Sequence, residues 1–95
     1  MKPLGRPKKE RIVKNLPKIY YFSPRGKPGR PLEVELKLEE LEALRLADFQ
    51  RLNQRQACQF MQISQQTFSR ILRRARNIVA DALINGKIIR IEKPK

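Results

Sequence analysis

Histidine is missing from this 95-residue chain, and cysteine occurs once, at Cys58. No set of ligands for zinc or a redox metal can be assembled from these, so no metal site is expected. A single cysteine cannot close an internal disulfide, which fits a reducing cytoplasm. Its expected role is that of a small buried packing residue. Long apolar runs are also missing. No stretch approaches the roughly 18 residues that cross a bilayer. The N-terminal MKPLGRPKKERIVK lacks the apolar core of a secretory signal. No Gly-rich phosphate loop and no nucleophile–base pair can be found, so an enzyme is not expected, nor a cofactor or small-molecule ligand.

Acidic residues are scarce: nine Asp and Glu stand against 22 Lys and Arg, for a net charge of +13. A balance this basic says more about partners than about fold. It points to polyanions: DNA, RNA, an acidic protein or an anionic membrane surface. The charge is uneven. Residues 1–31 carry ten bases and one acid, residues 32–52 three bases and six acids, and residues 53–95 nine bases and two acids. Two basic blocks flank an acidic segment.

The first 31 residues hold six of the seven prolines and three of the four glycines. Proline fixes φ and lacks a backbone donor, so an extended basic arm is expected there. Within it, Lys18 to Phe22 (KIYYF) is strand-like by its β-branched and aromatic content. Tyr20, Tyr21 and Phe22 could stack on bases, but core and ribbon roles are favoured for them. Residues 32–95 form the second unit. Lys37 to Asp48 reads as a first helix, with Leu38, Leu41, Leu44 and Ala47 on one stripe. Glu39, Glu40 and Glu42 sit toward its N-terminal end, where the helix dipole favours them. Glu42 and Arg45 are expected to pair weakly on its outer face.

Gln54 to Met61 reads as a short second helix with Ala57, Phe60 and Met61 on its apolar face. Ser64 is a good N-cap for a third. From there Phe68, Ile71, Leu72, Ala75, Ile78, Val79, Ala82 and Leu83 keep helical spacing. Asn85-Gly86 supplies the stop. Lys87 to Glu92 (KIIRIE) reads as a short strand, and its pairing with KIYYF would close a β-ribbon from the two ends. The compact part, roughly residues 32–92, is small enough that help from the arm or from a second subunit is expected. The fold class expected is mainly α: a three-helix helix-turn-helix domain with an extended basic N-terminal arm.

A short helix, a tight turn and a longer helix suit DNA. The second of the pair puts its N-terminal residues in the major groove. Ala57 and Cys58 are small, as close helix packing demands. Gln62 stands where many such turns have glycine, which predicts a slightly different turn. With the apolar positions buried, Gln65, Gln66, Thr67, Ser69 and Arg70 are the candidates for base edges. Gln pairs with adenine and Arg with guanine in that groove. Arg55, Arg73 and Arg74 are the candidates for phosphate contacts. In the arm, Gly5-Arg6-Pro7-Lys8-Lys9 and Gly29-Arg30-Pro31 resemble AT-hook cores. Arg6, Lys8, Lys9 and Arg30 are therefore candidates for backbone or minor-groove contact.

The run EALRLADFQRLNQRQACQFMQISQQTFSRILRRARNIVADALINGK resembles the helix-turn-helix of sigma-factor region four. More closely, it resembles a family of small uncharacterised prokaryotic proteins predicted to bind DNA. The family's Glu-Ala-x-Arg-Leu-x-Asp is matched by Glu42, Ala43, Arg45, Leu46 and Asp48. Its Ala-Asp-Ala-Leu-x-Asn-Gly-Lys is matched by Ala80, Asp81, Ala82, Leu83, Asn85, Gly86 and Lys87. Phe22, Pro24 and Gly26 fit its Phe-x-Pro-x-Gly segment, and Gly5-Arg6-Pro7 fits as well. The resemblance covers nearly the whole chain. It implies a sigma-region-four-like fold and DNA binding in a prokaryotic cytoplasm.

The expected function is sequence-specific binding of double-stranded DNA, as a transcriptional regulator. A single small module reads few base pairs against millions of genomic sites, so a homodimer is expected. The alternative is an RNA-binding or ribosome-associated basic protein. A third reading is a protein-interaction module that contacts RNA polymerase.

Overall fold

The structure is a computed structural model that describes residues 12–13 and 15–95. Three helices stand against a three-stranded sheet. The elements run β1 (Tyr21–Phe22), β2 (Glu33–Leu36), α1 (Leu38–Leu44), a π-helical turn (Arg45–Phe49), α2 (Gln54–Phe60), α3 (Gln65–Asn85) and β3 (Ile88–Ile91).

The expected first helix is therefore two pieces. At α1 the freed N-terminal donors find carboxylates. Lys37 N–H donates to Glu40 Oε1 at 2.8 Å, and Leu38 N–H donates to Glu92 Oε1 at 2.9 Å. After Leu44 the bonds lengthen their span, and Gln50 N–H donates to Arg45 O at 2.8 Å. A 3.6-residue period does not reveal such a turn, because it shifts the face without changing composition. Glu42 does not lie on the outer face as expected. It is 1 % exposed, and Arg45 clasps it with two bonds of 2.9 Å.

Asn53 begins α2 with a reciprocal cap: its Oδ1 accepts from Gln56 N–H at 2.8 Å, and Gln56 Oε1 accepts from Asn53 N–H at 3.3 Å. Met61 and Ala57 are fully buried, but Phe60 is half exposed. The turn to α3 keeps a left-handed residue. Gln62 has φ 54°, so it takes the backbone conformation that glycine usually supplies. Ser64 caps α3 as expected, its Oγ accepting from Thr67 N–H at 3.1 Å. Gly86, at φ 65°, ends it. The Lys27 ammonium donates to the terminal carbonyls of Asn85 and Gly86 at 2.6 and 3.0 Å, where the helix dipole favours a cation.

The strand order is β1-β3-β2. β1 pairs antiparallel with β3, Tyr21 opposite Arg90 and Phe22 opposite Ile89. That is the ribbon expected from the two ends. β2 was not anticipated. It lies parallel to β3, with Glu33 opposite Ile88 and Leu36 opposite Ile91. Its EVEL sequence turns Leu36 into the core, while Glu33 and Glu35 flank Arg90 at 3.1 and 3.2 Å. Glu is a poor strand former, which hid the element.

Two apolar clusters meet along α3. One joins Ala43, Leu46, Ala57, Cys58, Met61, Phe68, Ile71 and Leu72 between the helices. The other joins Leu36, Ala75 and Ile91, with Tyr20 packed beside them. Tyr21 and Phe22 hold the ribbon but are half exposed, so only Tyr20 of that trio joins the core. Leu83 also departs from expectation, at 76 % exposed. At 3.6 residues per turn it sits about 80° round the helix from buried Ala75, at the edge of the stripe.

Candidate functional site

The N-terminal half of α3 presents one open recess of about 480 Å³, lined by Gln54, Gln65, Gln66, Ser69, Arg70 and Arg73. Four of the five residues expected at base edges are thus together, with one of the three expected at phosphates. Their placement follows from packing. Phe68, Ile71, Leu72 and Ala75 are buried, so the opposite stripe of α3 must face outward. Gln54 was missed in the sequence. It opens α2, and only the angle between the two helices brings it to the recess.

Thr67 has a different role. Its hydroxyl accepts from Ser64 Oγ at 2.9 Å, and it is half buried in the cap of α3. Arg55 is exposed on α2. Arg74 turns toward α1, 3.8 Å from Glu39 and 3.9 Å from Glu40. Arg76, not singled out in the sequence, is held bidentately by Asp48 at 3.1 and 2.7 Å. That bond keeps the Asp48 carboxyl below its ordinary value.

The cations of α3 therefore divide. Arg74 and Arg76 face acids of the α1 segment. Among the described residues, neither Arg70 nor Arg73 has an acidic partner, and no acid occurs between Gln65 and Asn77. The recess is cationic and rich in amides, able to donate and accept hydrogen bonds.

Of the arm candidates, Arg30 is exposed in the loop before β2. Arg6, Lys8 and Lys9 lie outside the described residues. Ile12 N–H donates to Met61 O at 3.1 Å, which fixes the start of the described chain beside the α2–α3 turn. Among the described residues no group of His, Cys, Asp and Glu could hold a metal ion. Among the described residues no helix is long and apolar enough to cross a membrane.

Comparison with known proteins gives relatives but no described activity. A UPF0251 protein of Caldicellulosiruptor bescii is 56 % identical over 89 residues, covering 94 % of this chain and 62 % of that protein. A UPF0251 protein of Desulfosudis oleivorans is 54 % identical over 90 residues, covering 94 % of this chain and 65 % of that one. One of Halothermothrix orenii is 47 % identical over 90 residues, covering 94 % and 67 %. The chain thus spans about two thirds of the length of these relatives. No solved structure matches it. Residues 1–94 match the model of the family described as "Protein of unknown function DUF134", and the chain belongs to that family of small prokaryotic proteins.

Proposed function

We propose that this chain binds double-stranded DNA sequence-specifically, as a transcriptional regulator. In this reading α2 and α3 form a helix-turn-helix of the sigma-region-four kind, and the N-terminal half of α3 enters the major groove. The observation that carries it is the recess: Gln65, Gln66, Ser69, Arg70 and Arg73 converge on one exposed face that holds no acid. Gln65 and Gln66 suit adenine edges, and Arg70 suits guanine. Ser69 can bond to either. Arg73 and Arg55 suit phosphates, which set register and affinity. Arg74 reaches a phosphate by leaving its long contacts to Glu39 and Glu40. Thr67 supports the reader through the cap. Arg30, exposed in the loop before β2, suits the backbone or the minor groove.

The test compares wild type with Arg70→Ala and Arg73→Ala on duplex DNA and on duplex RNA across a salt series. Arg73→Ala should weaken binding on every sequence and reduce the log–log salt slope by about one. Arg70→Ala should relax preference at one base position by about 1–3 kcal/mol. Tighter binding to A-form RNA than to DNA overturns the reading in favour of an RNA-binding protein.

A further inference from the structure

The outward stripe of α3 changes character along its length. Gln66, Arg70, Arg73 and Asn77 give way to Ala80 and Ile84 on the same line. Ile84 is 81 % exposed and its neighbour Leu83 76 %. Leu83 also walls an open groove of about 230 Å³ with Phe22, Pro24, Gly86 and Ile89. Large apolar side chains clustered on a charged surface mark a contact site.

We propose that this end of α3 is a homodimer interface, with Ile84 of each copy seated in the groove of the other across a two-fold axis. Such an isologous contact needs a knob and a hole on one patch, and both are present here. The knob and the hole on one patch select a second copy as the occupant, and charge selects this face as the join. Two chains of net charge +13 repel wherever their free cations meet. Around Ile84 the cations nearest in α3 and its stop are engaged within the chain. Asp81 holds Lys87 at 2.8 Å and accepts from the Asn85 amide at 2.7 Å. Lys27 donates to the carbonyls that end α3, where the helix dipole offsets part of its charge. Ser23, Pro24 and Ala82 also line the groove.

The join also fits the reading of α3, on which its use in DNA recognition rests. A forked pair of helices grips DNA with a stripe that is polar toward the tips and apolar where the helices meet. Gln66 and Ile84 are 18 residues apart, about 27 Å along the helix. Two tips joined at Ile84 can therefore stand up to about 54 Å apart. Neighbouring major-groove half-sites, about 34–36 Å apart, fall inside that reach.

Sedimentation velocity on the 95-residue chain without DNA tests the interface, with wild type beside Ile84→Lys and Leu83→Lys/Ile84→Lys. Both positions are exposed, so far-UV circular dichroism should not change. Wild type at tens of micromolar should sediment at twice the monomer mass, and the double variant at the monomer mass. A wild type that stays monomeric to several hundred micromolar overturns the proposal, as does a double variant that stays dimeric. The DNA reading fails separately. If the dimer forms and depends on Ile84 but selects no DNA sequence, the interface stands and the DNA reading falls.

Discussion

Glu42 and Arg45 show how one buried charge is tolerated in a small domain. Glu42 is among the largest fully buried side chains, and both its oxygens accept from the Arg45 guanidinium. Replacing Glu42 with Ala removes two hydrogen bonds of that guanidinium, and chemical denaturation should show a loss of about 1–3 kcal/mol. Gln62 works the other way. A non-glycine residue at φ 54° carries a steric cost, so Gln62→Gly should raise stability by up to about 1 kcal/mol, read as a higher Tm. A lower Tm contradicts the left-handed turn. Asp48 and Asp81 both titrate below the ordinary 3.8, held down by hydrogen bonds from Arg76 and from Lys87. A depressed carboxylate stabilises the fold above its unfolded value, and that contribution is lost as pH falls through the folded one. Melting curves should therefore hold steady above about pH 4 and fall below it, less steeply in Asp48→Asn. The sequence showed Glu42 and Arg45 as a pair and Gln62 in place of glycine, but neither the burial of the pair nor the Asp48–Arg76 bond. An i, i+3 pair looks the same whether it is buried or solvated, and Asp48 meets Arg76, 28 positions further on, only when the chain folds back.

The helices were more legible than the strands. Ser64, Gly86 and the long apolar spacing marked α3 because a cap, a stop and a stripe agree over 21 residues. Ser64→Ala should cost about 1 kcal/mol in thermal stability, as lost caps do. It should also loosen Thr67 and so the start of the candidate reader. A variant as stable as wild type contradicts the cap. The π turn and β2 were hidden for different reasons. The first changes hydrogen bonding without changing residue type. The second is four residues long and half glutamate, and it is a strand only because Arg90 and β3 receive it. The apolar stripe of α3 was read one residue too far at Leu83, because spacing does not say where the neighbouring elements end.

At the scale of the whole molecule, the acids and bases are sorted. The α1 segment draws Arg74 and Arg76 toward itself, and Glu33 and Glu35 engage Arg90. What remains uncompensated includes Arg70 and Arg73 on the recess at the start of α3. Charge blocks in the sequence predicted a polyanion as partner. Only the packing of α2 on α3 showed which bases share a face with Gln54, Gln65 and Gln66. The central claim is that this face reads sequence as well as charge. It is tested most directly by selecting bound duplexes from a randomised DNA pool, with wild type and Arg70→Ala/Arg73→Ala, at several salt concentrations. An enriched motif that survives rising salt and disappears in the double variant is the predicted result. Binding that selects no motif, or a motif that persists in the double variant, contradicts it.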